Sequence, residues 1–209
     1  MFENRNEAGK KLALKLKEEL DPEIINSAVF LMIPKGGIVV GNEIKQILNV
    51  TLDCLITKKI PAPDNEAVTI GAVGEGGVVY WDEEVCKRLN VPMTYRQEIV
   101  KKKVIELDPK EDFFRGNKPL PDLKDKPVVI IDDGVATGVT IKVAIAVVRN
   151  FSPKEVIVAT PVIAKEELND VKQKADKVIY LETPELFLSL SDYYKDFKVW
   201  SDEEIKNIL

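Results

Sequence analysis

The stretch VVIIDDGVATGVT, residues 128–140, decides the fold of this chain. Its first four residues, 128–131, are apolar and β-branched, and two adjacent carboxylates follow them directly. A turn of small residues then leads into an apolar run over residues 141–148. This order is typical of a buried parallel strand, a tight loop and the start of a helix. Ligands of open α/β sheets bind beyond the carboxyl ends of the strands, so Asp132 and Asp133 are predicted to face a ligand.

The loop after the two acids adds a second kind of binding group. Carboxylates accept hydrogen bonds from sugar hydroxyls, whereas loop amides and a helix N-terminus attract an anion. The segment therefore predicts a ribose-phosphate site. The plainer alternative is an aspartate that caps the following helix. A cap explains one aspartate, but it explains neither the second one nor the loop formed by residues 137–140.

This segment resembles the phosphoribosyl pyrophosphate (PRPP) signature of type I phosphoribosyltransferases, in which a hydrophobic strand, an acidic pair and a small-residue loop ending in Thr-Gly-x-Thr follow one another. The resemblance implies that Asp132 and Asp133 hydrogen-bond the 2′- and 3′-hydroxyls of the ribose. It also implies that the 5′-phosphate lies in the loop made of Gly134, Ala136, Thr137, Gly138, Val139 and Thr140.

Two other nucleotide-binding motifs fail on their own residues. A P-loop requires G-x-x-x-x-G-K-[ST], and residues 36–41 supply both glycines, but Asn42-Glu43 stands where the lysine and hydroxyl residue are needed. A dinucleotide fingerprint could begin at residues 74–76, but Val79 occupies the position of its last glycine.

Composition and charge restrict the remaining function classes. The chain has 209 residues, of which 45% are hydrophobic and 31% charged, and its net charge of −5 argues against a general nucleic-acid binder. No apolar run approaches the roughly 20 residues of a membrane span, and residues 1–10 lack a signal-peptide core, so a cytoplasmic protein without membrane contact is expected. The chain contains no histidine, which excludes Ser-His and Cys-His nucleophile systems. Its two cysteines, Cys54 and Cys86, match no metal or redox spacing.

Strand and helix patterns alternate along the chain, which predicts an α/β fold with a doubly wound parallel sheet of about five strands. The resemblance implies a single domain, 1–209, with a core over about 26–182 and a hood built from 1–25 and 183–209. The pattern predicts core strands at 28–33, 50–56 (continuing to 59), 128–131, 155–160 and 177–181, a hairpin at 68–73 and 78–81, a helix over 3–20 that ends at Asp21-Pro22, and a long polar connection over 109–127.

A second anion site is predicted where Pro34-Lys35-Gly36-Gly37 follows the first strand. Glycines permit close approach of the backbone, and Lys35 supplies positive charge. In type I phosphoribosyltransferases the corresponding loop binds pyrophosphate, so the resemblance gives this role to Lys35, Gly36 and Gly37. A plain strand-to-helix turn would need the same glycines.

Two further lysines, Lys58 and Lys59, are predicted at the carboxyl end of the second strand. They are expected to neutralise pyrophosphate in a partly desolvated cleft, with Lys59 assigned a catalytic role beside the two acids. A solvated strand end is the alternative. Residues 59–81 match the place of the flexible hairpin that closes over PRPP in the family.

The resemblance extends over most of the chain. The stretches 58–77, 114–121 and 183–197 resemble a group of predicted phosphoribosyltransferases with no assigned acceptor. The aromatic stretch 183–197 is expected either to fix the hood to the core or to contact the acceptor, for which Tyr193 and Tyr194 are the candidates. Ala136 stands where 6-oxopurine salvage enzymes carry an aspartate, which argues against hypoxanthine or guanine as the acceptor.

Together the resemblance implies a Mg2+-dependent enzyme of nucleotide metabolism that transfers a phosphoribosyl group from PRPP to a small nitrogenous acceptor. Mg2+ is expected to be held mainly by PRPP, with Asp132 and Asp133 as candidate ligands, and a homodimer is a family-based expectation. Asp133→Asn is expected to abolish turnover and leave the fold intact. The alternatives are a non-catalytic PRPP-binding regulator, against which the chain has no helix-turn-helix pattern, and a structural domain without a ligand, which conflicts with the signature.

Overall fold

The structure, a computed structural model, describes residues 1–116 and 118–209. Its strands in chain order are β1 (Val29–Met32), β2 (Leu52–Cys54), β3 (Thr57–Ala62), β4 (Asn65–Gly74), β5 (Val78–Trp81), β6 (Pro127–Ile131), β7 (Glu155–Val162) and β8 (Lys177–Glu182). Its helices are α1 (Arg5–Glu19), α2 (Pro22–Ser27), α3 (Gly36–Leu48), α4 (Glu83–Arg88), α5 (Met93–Ile105), α6 (Asp108–Arg115), α7 (Val139–Arg149), α8 (Lys165–Lys174) and α9 (Asp202–Lys206), and short 3-10 turns cover Glu75–Gly77 and Leu190–Tyr193. None of the helices in the described ranges is long and apolar enough to cross a membrane.

Five strands form one parallel sheet in the order β2-β1-β6-β7-β8, which confirms the predicted doubly wound α/β class. The central strand β6 is buried at every position, as expected of a parallel strand with helices on both faces. The order reverses between β1 and β6. The loops that follow these two strands therefore diverge and open a crevice at their carboxyl ends.

A second, antiparallel sheet joins β3, β4 and β5. The predicted hairpin is confirmed as β4 and β5, but the prediction that the second core strand continues to Lys59 was wrong. The chain leaves the parallel sheet after Cys54, and Lys58 and Lys59 belong to β3 instead. One face of the small sheet packs against α7, and the opposite face packs against α4 and α5.

The helix α6 occupies part of the segment 109–127 for which a polar connection was predicted, so that prediction was wrong for its first half. Pro109 lies in the first turn of α6, where proline favours helix initiation because no backbone N–H is needed there. Pro22 likewise begins α2 immediately after the predicted end of α1. In both places a proline that was interpreted as a break starts a new helix.

The first helix closes one face of the parallel sheet. Its leucines Leu12 and Leu16 are fully buried, which agrees with the predicted amphipathic pattern. The helix crosses α3 at Gly9, where an added Cβ would lie only 2.7 Å from the Val40 carbonyl oxygen. Phe2, which precedes this helix, exchanges backbone hydrogen bonds with residues 193–195, so the N-terminal segment lies beside that stretch.

A buried ion pair connects the two sheets. The guanidinium of Arg115, at the end of α6, donates to both carboxylate oxygens of Glu75 at 2.6 and 2.7 Å. Arg115 also donates to the Cys54 carbonyl at 2.8 Å, and Glu75 accepts the Ile56 amide at 2.6 Å. The pair of Arg115 and Glu75 therefore holds together the end of β2, the β4–β5 hairpin and α6.

Replacing Arg115 with methionine is expected to lower the free energy of unfolding by about 3 to 5 kcal/mol, because it leaves the Glu75 carboxylate buried without a counter-charge. Urea unfolding followed by circular dichroism measures the change. Arg96→Met is the matched control, since Arg96 pairs with a largely exposed carboxylate, that of Glu83, at 2.9 Å and is expected to lose about 1 kcal/mol or less. Equal losses in the two variants would contradict this account of the pair.

Candidate functional site

A cavity of about 220 Å³ opens in the crevice between the loops that follow β1 and β6. The acidic pair and the loop after it line this cavity together with Lys59, which comes from a distant part of the chain. The lining consists of Ile33, Pro34, Lys59, Asp132, Asp133, Gly134, Val135, Ala136, Thr137, Gly138, Thr140, Ile141 and Leu190.

The loop over residues 134–138 has the geometry of an anion site. Gly138 adopts φ 68° and ψ −9° directly before α7, a left-handed conformation that favours glycine. No side chain caps α7, so the first amides of this helix remain available to an anion. Backbone hydrogen bonds between Val135 and the end of β7 anchor the loop, while Thr137 is exposed at the mouth of the cavity.

A charged network under this loop was not indicated by any sequence motif. Lys142, one turn into α7, is buried and lies 2.7 Å from Glu167 and 2.6 Å from Asp170 of α8. Glu167 also approaches the loop itself, since a Cβ added to Gly138 would lie 2.4 Å from its Oε2. The network packs the N-terminus of α7 against α8, and it supports the loop from below.

Asp132 is buried at the floor of the cavity, and its Oδ1 accepts the backbone N–H of Asp133 at 2.9 Å. Burial, together with the neighbouring Asp133 carboxylate, raises the pKa of Asp132 well above the usual range of an aspartate, and the positive charge of Lys59 acts in the opposite direction. A hydrogen-bond donor or a cation that enters the cavity would therefore stabilise the charged form of this carboxylate.

Asp133 is held from outside the cavity by an arginine that the sequence analysis did not identify. The Arg5 Nε donates to Asp133 Oδ2 at 2.6 Å, and both side chains are almost fully buried. The guanidinium of Arg5 also donates to the Lys198 carbonyl at 2.8 Å and lies 4.0 Å from the centre of the Phe197 ring. Asp133→Asn would leave this buried guanidinium without its counter-charge, so we expect the substitution to destabilise the fold as well as to affect turnover.

The glycines after β1 explain how close the backbone approaches the acidic pair. A Cβ added to Gly36 would lie 1.9 Å from Asp133 Oδ2, and one added to Gly37 would lie 2.7 Å from the Ile131 carbonyl oxygen. The predicted turn is present, and α3 begins within it at Gly36. The Lys35 side chain is engaged elsewhere, since its Nζ lies 3.0 Å from the Trp200 carbonyl oxygen.

A second cavity of about 240 Å³ adjoins the first and shares Pro34 and Lys59 with it. It collects the three lysines predicted to bind pyrophosphate and adds Lys110 from α6, which the sequence analysis missed because its segment was interpreted as a connection. Lys58 is partly neutralised by Glu106 at 2.8 Å. The lining consists of Pro34, Lys35, Ile56, Thr57, Lys58, Lys59, Lys110, Phe114 and Asp202.

The two tyrosines named from the sequence occupy packing positions. Tyr194 is only 3% exposed, its ring lies between Phe2 and Phe197, and its hydroxyl donates to the Asp133 carbonyl at 2.6 Å. Burial raises the pKa of Tyr194. Tyr193 stacks on another ring of its own segment and donates to the Leu186 carbonyl at 2.9 Å. Within the described part of residues 183–209, Leu190 rather than either tyrosine lines the first cavity.

Comparison with known proteins identifies one family over nearly the whole chain. The family model described as "Phosphoribosyl transferase domain" matches residues 3–197. A Mycobacterium tuberculosis protein (strain H37Rv), named "Putative phosphoribosyl transferase Rv0571c", is 31% identical over 205 residues, which are 98% of this chain and 45% of that protein. The chain thus spans about half the length of the curated relatives that it matches.

Solved structures similar to this one include two that come from thermophilic bacteria. The crystal structure of TT1426 from Thermus thermophilus has a TM-score of 0.78 and 32% sequence identity, and the match covers 99% of this chain and 96% of that one. The AQ2163 protein from Aquifex aeolicus has a TM-score of 0.53 at 19% identity, with 86% and 73% of the two chains covered, and this likeness concerns the fold alone.

Asp132→Asn is expected to raise the free energy of unfolding at neutral pH by about 1 kcal/mol, because it removes a carboxyl group whose ionisation is disfavoured in the folded protein. The pKa of Asp132 is raised on folding, so this group destabilises the fold at pH values above its ordinary pKa in the unfolded chain. The advantage of the variant should therefore disappear as the pH falls toward the pKa of about 3.9 in the unfolded chain.

Urea unfolding between pH 4 and pH 8 measures this dependence, and Asp133→Asn is the matched control on the neighbouring acid. The control is expected to lose stability, since it removes the partner of Arg5. Loss of stability in Asp132→Asn at every pH would contradict the conclusion that burial and Asp133 disfavour the charged form of Asp132.

Proposed function

The chain belongs to the phosphoribosyl transferase domain family, and on that premise we propose that it transfers the 5-phosphoribosyl group of PRPP to a small nitrogenous acceptor and releases pyrophosphate. One observation carries the proposal. An anion loop, a buried acidic pair and a lysine-lined cavity lie side by side in one crevice. They follow one another in the order in which phosphate, ribose and diphosphate are connected in PRPP.

The 5′-phosphate binds at residues 136–140, where the amides at the start of α7 and the Thr137 and Thr140 side chains offer hydrogen bonds. The ribose hydroxyls donate to the carboxylates of Asp132 and Asp133, which lie directly before that loop. Because Arg5 already neutralises Asp133, Asp132 contributes most of the uncompensated negative charge beside the ribose.

The diphosphate lies in the second cavity. Lys59 lines both cavities, and we assign it a position between ribose and diphosphate. Lys35 and Lys58 line only the second cavity, where they contribute positive charge. Gly36 and Gly37 let the start of α3 pack closely against Asp133 and the Ile131 carbonyl, and the backbone of this turn is part of the proposed diphosphate site. Lysines in a partly desolvated cleft interact more strongly with phosphate oxygens than they would in water.

The carboxylates of the site suit a metal ion that binds together with the phosphates of the substrate. Within residues 1–116 and 118–209 there is no cluster of three or more acidic or cysteine side chains that could hold a metal alone. Mg2+ commonly keeps several waters and binds through substrate phosphates with one or two carboxylates, and Asp132 and Asp133 are the carboxylates available. When bound, Mg2+ would supply further positive charge to the diphosphate.

In the transfer, the bond between ribose C1 and the diphosphate oxygen breaks, and its electron pair leaves with the diphosphate. The lone pair of an acceptor nitrogen forms the new bond to C1. The lysines stabilise the charge that develops on the leaving group, and the acid pair fixes the ribose so that C1 faces the acceptor. No histidine is required for these roles.

We also propose a domain organisation, an oligomeric state and a cellular location for the protein. We place a single domain over residues 1–209, with a core at about 26–182 and a hood at 1–25 and 183–209 that selects the acceptor. Leu190 is its acceptor-side residue, whereas Tyr193 packs within the hood and Tyr194 acts through Asp133. A cytoplasmic homodimer with a role in nucleotide metabolism is part of the proposal.

Calorimetric titration of PRPP, with and without Mg2+, is the test of this site. The wild-type protein is expected to bind PRPP in a Mg2+-dependent manner. Lys59→Met is expected to bind about tenfold more weakly, since it removes a charged hydrogen-bond donor from the diphosphate. Lys101→Met is the matched control, because Lys101 is an exposed lysine of α5 outside both cavities.

Release of pyrophosphate with a panel of nucleobases and other nitrogenous acceptors then distinguishes an enzyme from a regulator. Binding followed by pyrophosphate release supports the transferase. Binding without turnover on any acceptor would favour the PRPP-binding regulator instead. A well-folded wild-type protein that does not bind PRPP would contradict both.

A further inference from the structure

Asp202 places a carboxylate among the lysines of the second cavity. Its Oδ1 lies 3.1 Å from the Nζ of Lys35, and its Oδ2 is paired with the Nζ of Lys110. The carbonyl of Trp200, two residues earlier, accepts a hydrogen bond from the same Lys35 ammonium at 3.0 Å. Acceptors from residues 200–202 thus occupy two lysines that face the proposed diphosphate site.

The backbone at Asp202 is held in place by its own helix and not by the two ion pairs. Ser201 caps α9 and forms a capping box with Glu204, and Ile205 is fully buried against the core. Asp202 itself makes no cap, and about a third of its side chain is exposed. The helix would therefore keep its position if the side chain of Asp202 turned away from the cavity.

Asp202 is charged at neutral pH. The hydrogen bond from Lys110 lowers the pKa of Asp202 below its ordinary value, and the nearby Lys35 ammonium acts in the same direction, although partial burial opposes both. Lys35, Lys59 and Lys110 line the cavity together with this carboxylate, and Lys58 is only partly neutralised, because its partner Glu106 also pairs with Lys103. The cavity therefore keeps a positive charge that attracts an anion with more than one negative charge.

We propose that Asp202 is an internal competitor of the diphosphate group: its carboxylate pairs with Lys35 and Lys110 in the empty cavity and releases them when a diphosphate enters. This inference rests on the proposed function of the site. Lys110 becomes a ligand of the diphosphate together with Lys35 and Lys59. Binding then costs the exchange of one carboxylate for phosphate oxygens, so Asp202 weakens the affinity for every ligand that carries a diphosphate.

Inorganic pyrophosphate with Mg2+ is the probe, because it tests the second cavity without the ribose site. Asp202→Asn keeps the shape of the side chain and removes its charge, and it is expected to bind pyrophosphate about threefold to tenfold more tightly than the wild type, as loss of one or two partly exposed ion pairs predicts. PRPP should gain affinity by a similar factor. Calorimetric titration measures both.

Glu203→Gln is the matched control. It removes the same charge from the next position of α9, but Glu203 is exposed and is not among the residues that line the cavity. Its affinity for pyrophosphate is expected to stay within about twofold of the wild type, where a general change in net charge is the only contribution. Circular dichroism and the urea midpoint establish that each variant is folded.

Lys110→Met tests the role of Lys110, one of the two lysines that pair with Asp202. It is expected to weaken pyrophosphate binding, and in this background Asp202→Asn should gain less affinity than it gains in the wild type, because one of the two contested lysines is gone. Full additivity of the two substitutions would overturn the role of Lys110. Unchanged or weaker binding in Asp202→Asn, with a wild type that binds, would overturn the competition and leave the proposed function standing.

A different outcome would show that the proposed function itself fails. If neither the wild type nor Asp202→Asn binds pyrophosphate or PRPP, the function and the competition are both overturned. If the wild type binds PRPP but only Asp202→Asn binds pyrophosphate, the competition is supported in its strongest form, since the internal carboxylate then excludes the smaller ligand.

Discussion

The carboxylate of Asp133 connects the crevice to the rest of the molecule. Two residues after the end of the central strand, it is packed against the first turn of α3, where only a glycine fits, and it is paired with Arg5 of the first helix. Through Arg5 and Tyr194, residue 133 also fixes the segment around residues 194–198. The strand, two helices and the aromatic segment are therefore positioned around one charged group, and displacement of that group would disturb all of them.

Several other charged side chains in and around the crevice also form ion pairs. Lys35 and Lys110 share Asp202, Lys58 is paired with Glu106, and Lys142 is paired with Glu167 and Asp170. Exposed pairs of this kind contribute little to stability, whereas buried ones are costly to break. The partly exposed pairs at the lysine cavity can thus be exchanged for a ligand, and the buried pairs of Asp133 and Lys142 form the rigid frame.

The acidic pair and the loop after it could be predicted because their chemistry is encoded in consecutive residues. The strand, the small-residue loop and the helix start all lie within residues 128–140, and the structure places them in one crevice as expected. The parallel sheet was predicted for the same reason, since its strands are continuous apolar runs. Local pattern determines these elements.

The remaining parts of the site could not be predicted because they depend on contacts between distant segments. Arg5 lies in a charged stretch that is typical of a solvent-exposed surface, and its partner is 128 residues away. Lys110 lies in a helix whose starting proline was interpreted as a break. The stretch 114–121, part of the family resemblance, includes Asn117, which lies outside the described residues. Pairing of charges across the fold leaves no local pattern in the sequence.

A crystal structure with PRPP and Mg2+ tests the central claim most directly, because it locates all three parts of the ligand at once. We expect the ribose hydroxyls at Asp132 and Asp133, the 5′-phosphate on the loop 136–140, and the diphosphate among Lys35, Lys59 and Lys110. Ligand density in another cavity, or a diphosphate that points away from these lysines, would contradict the account.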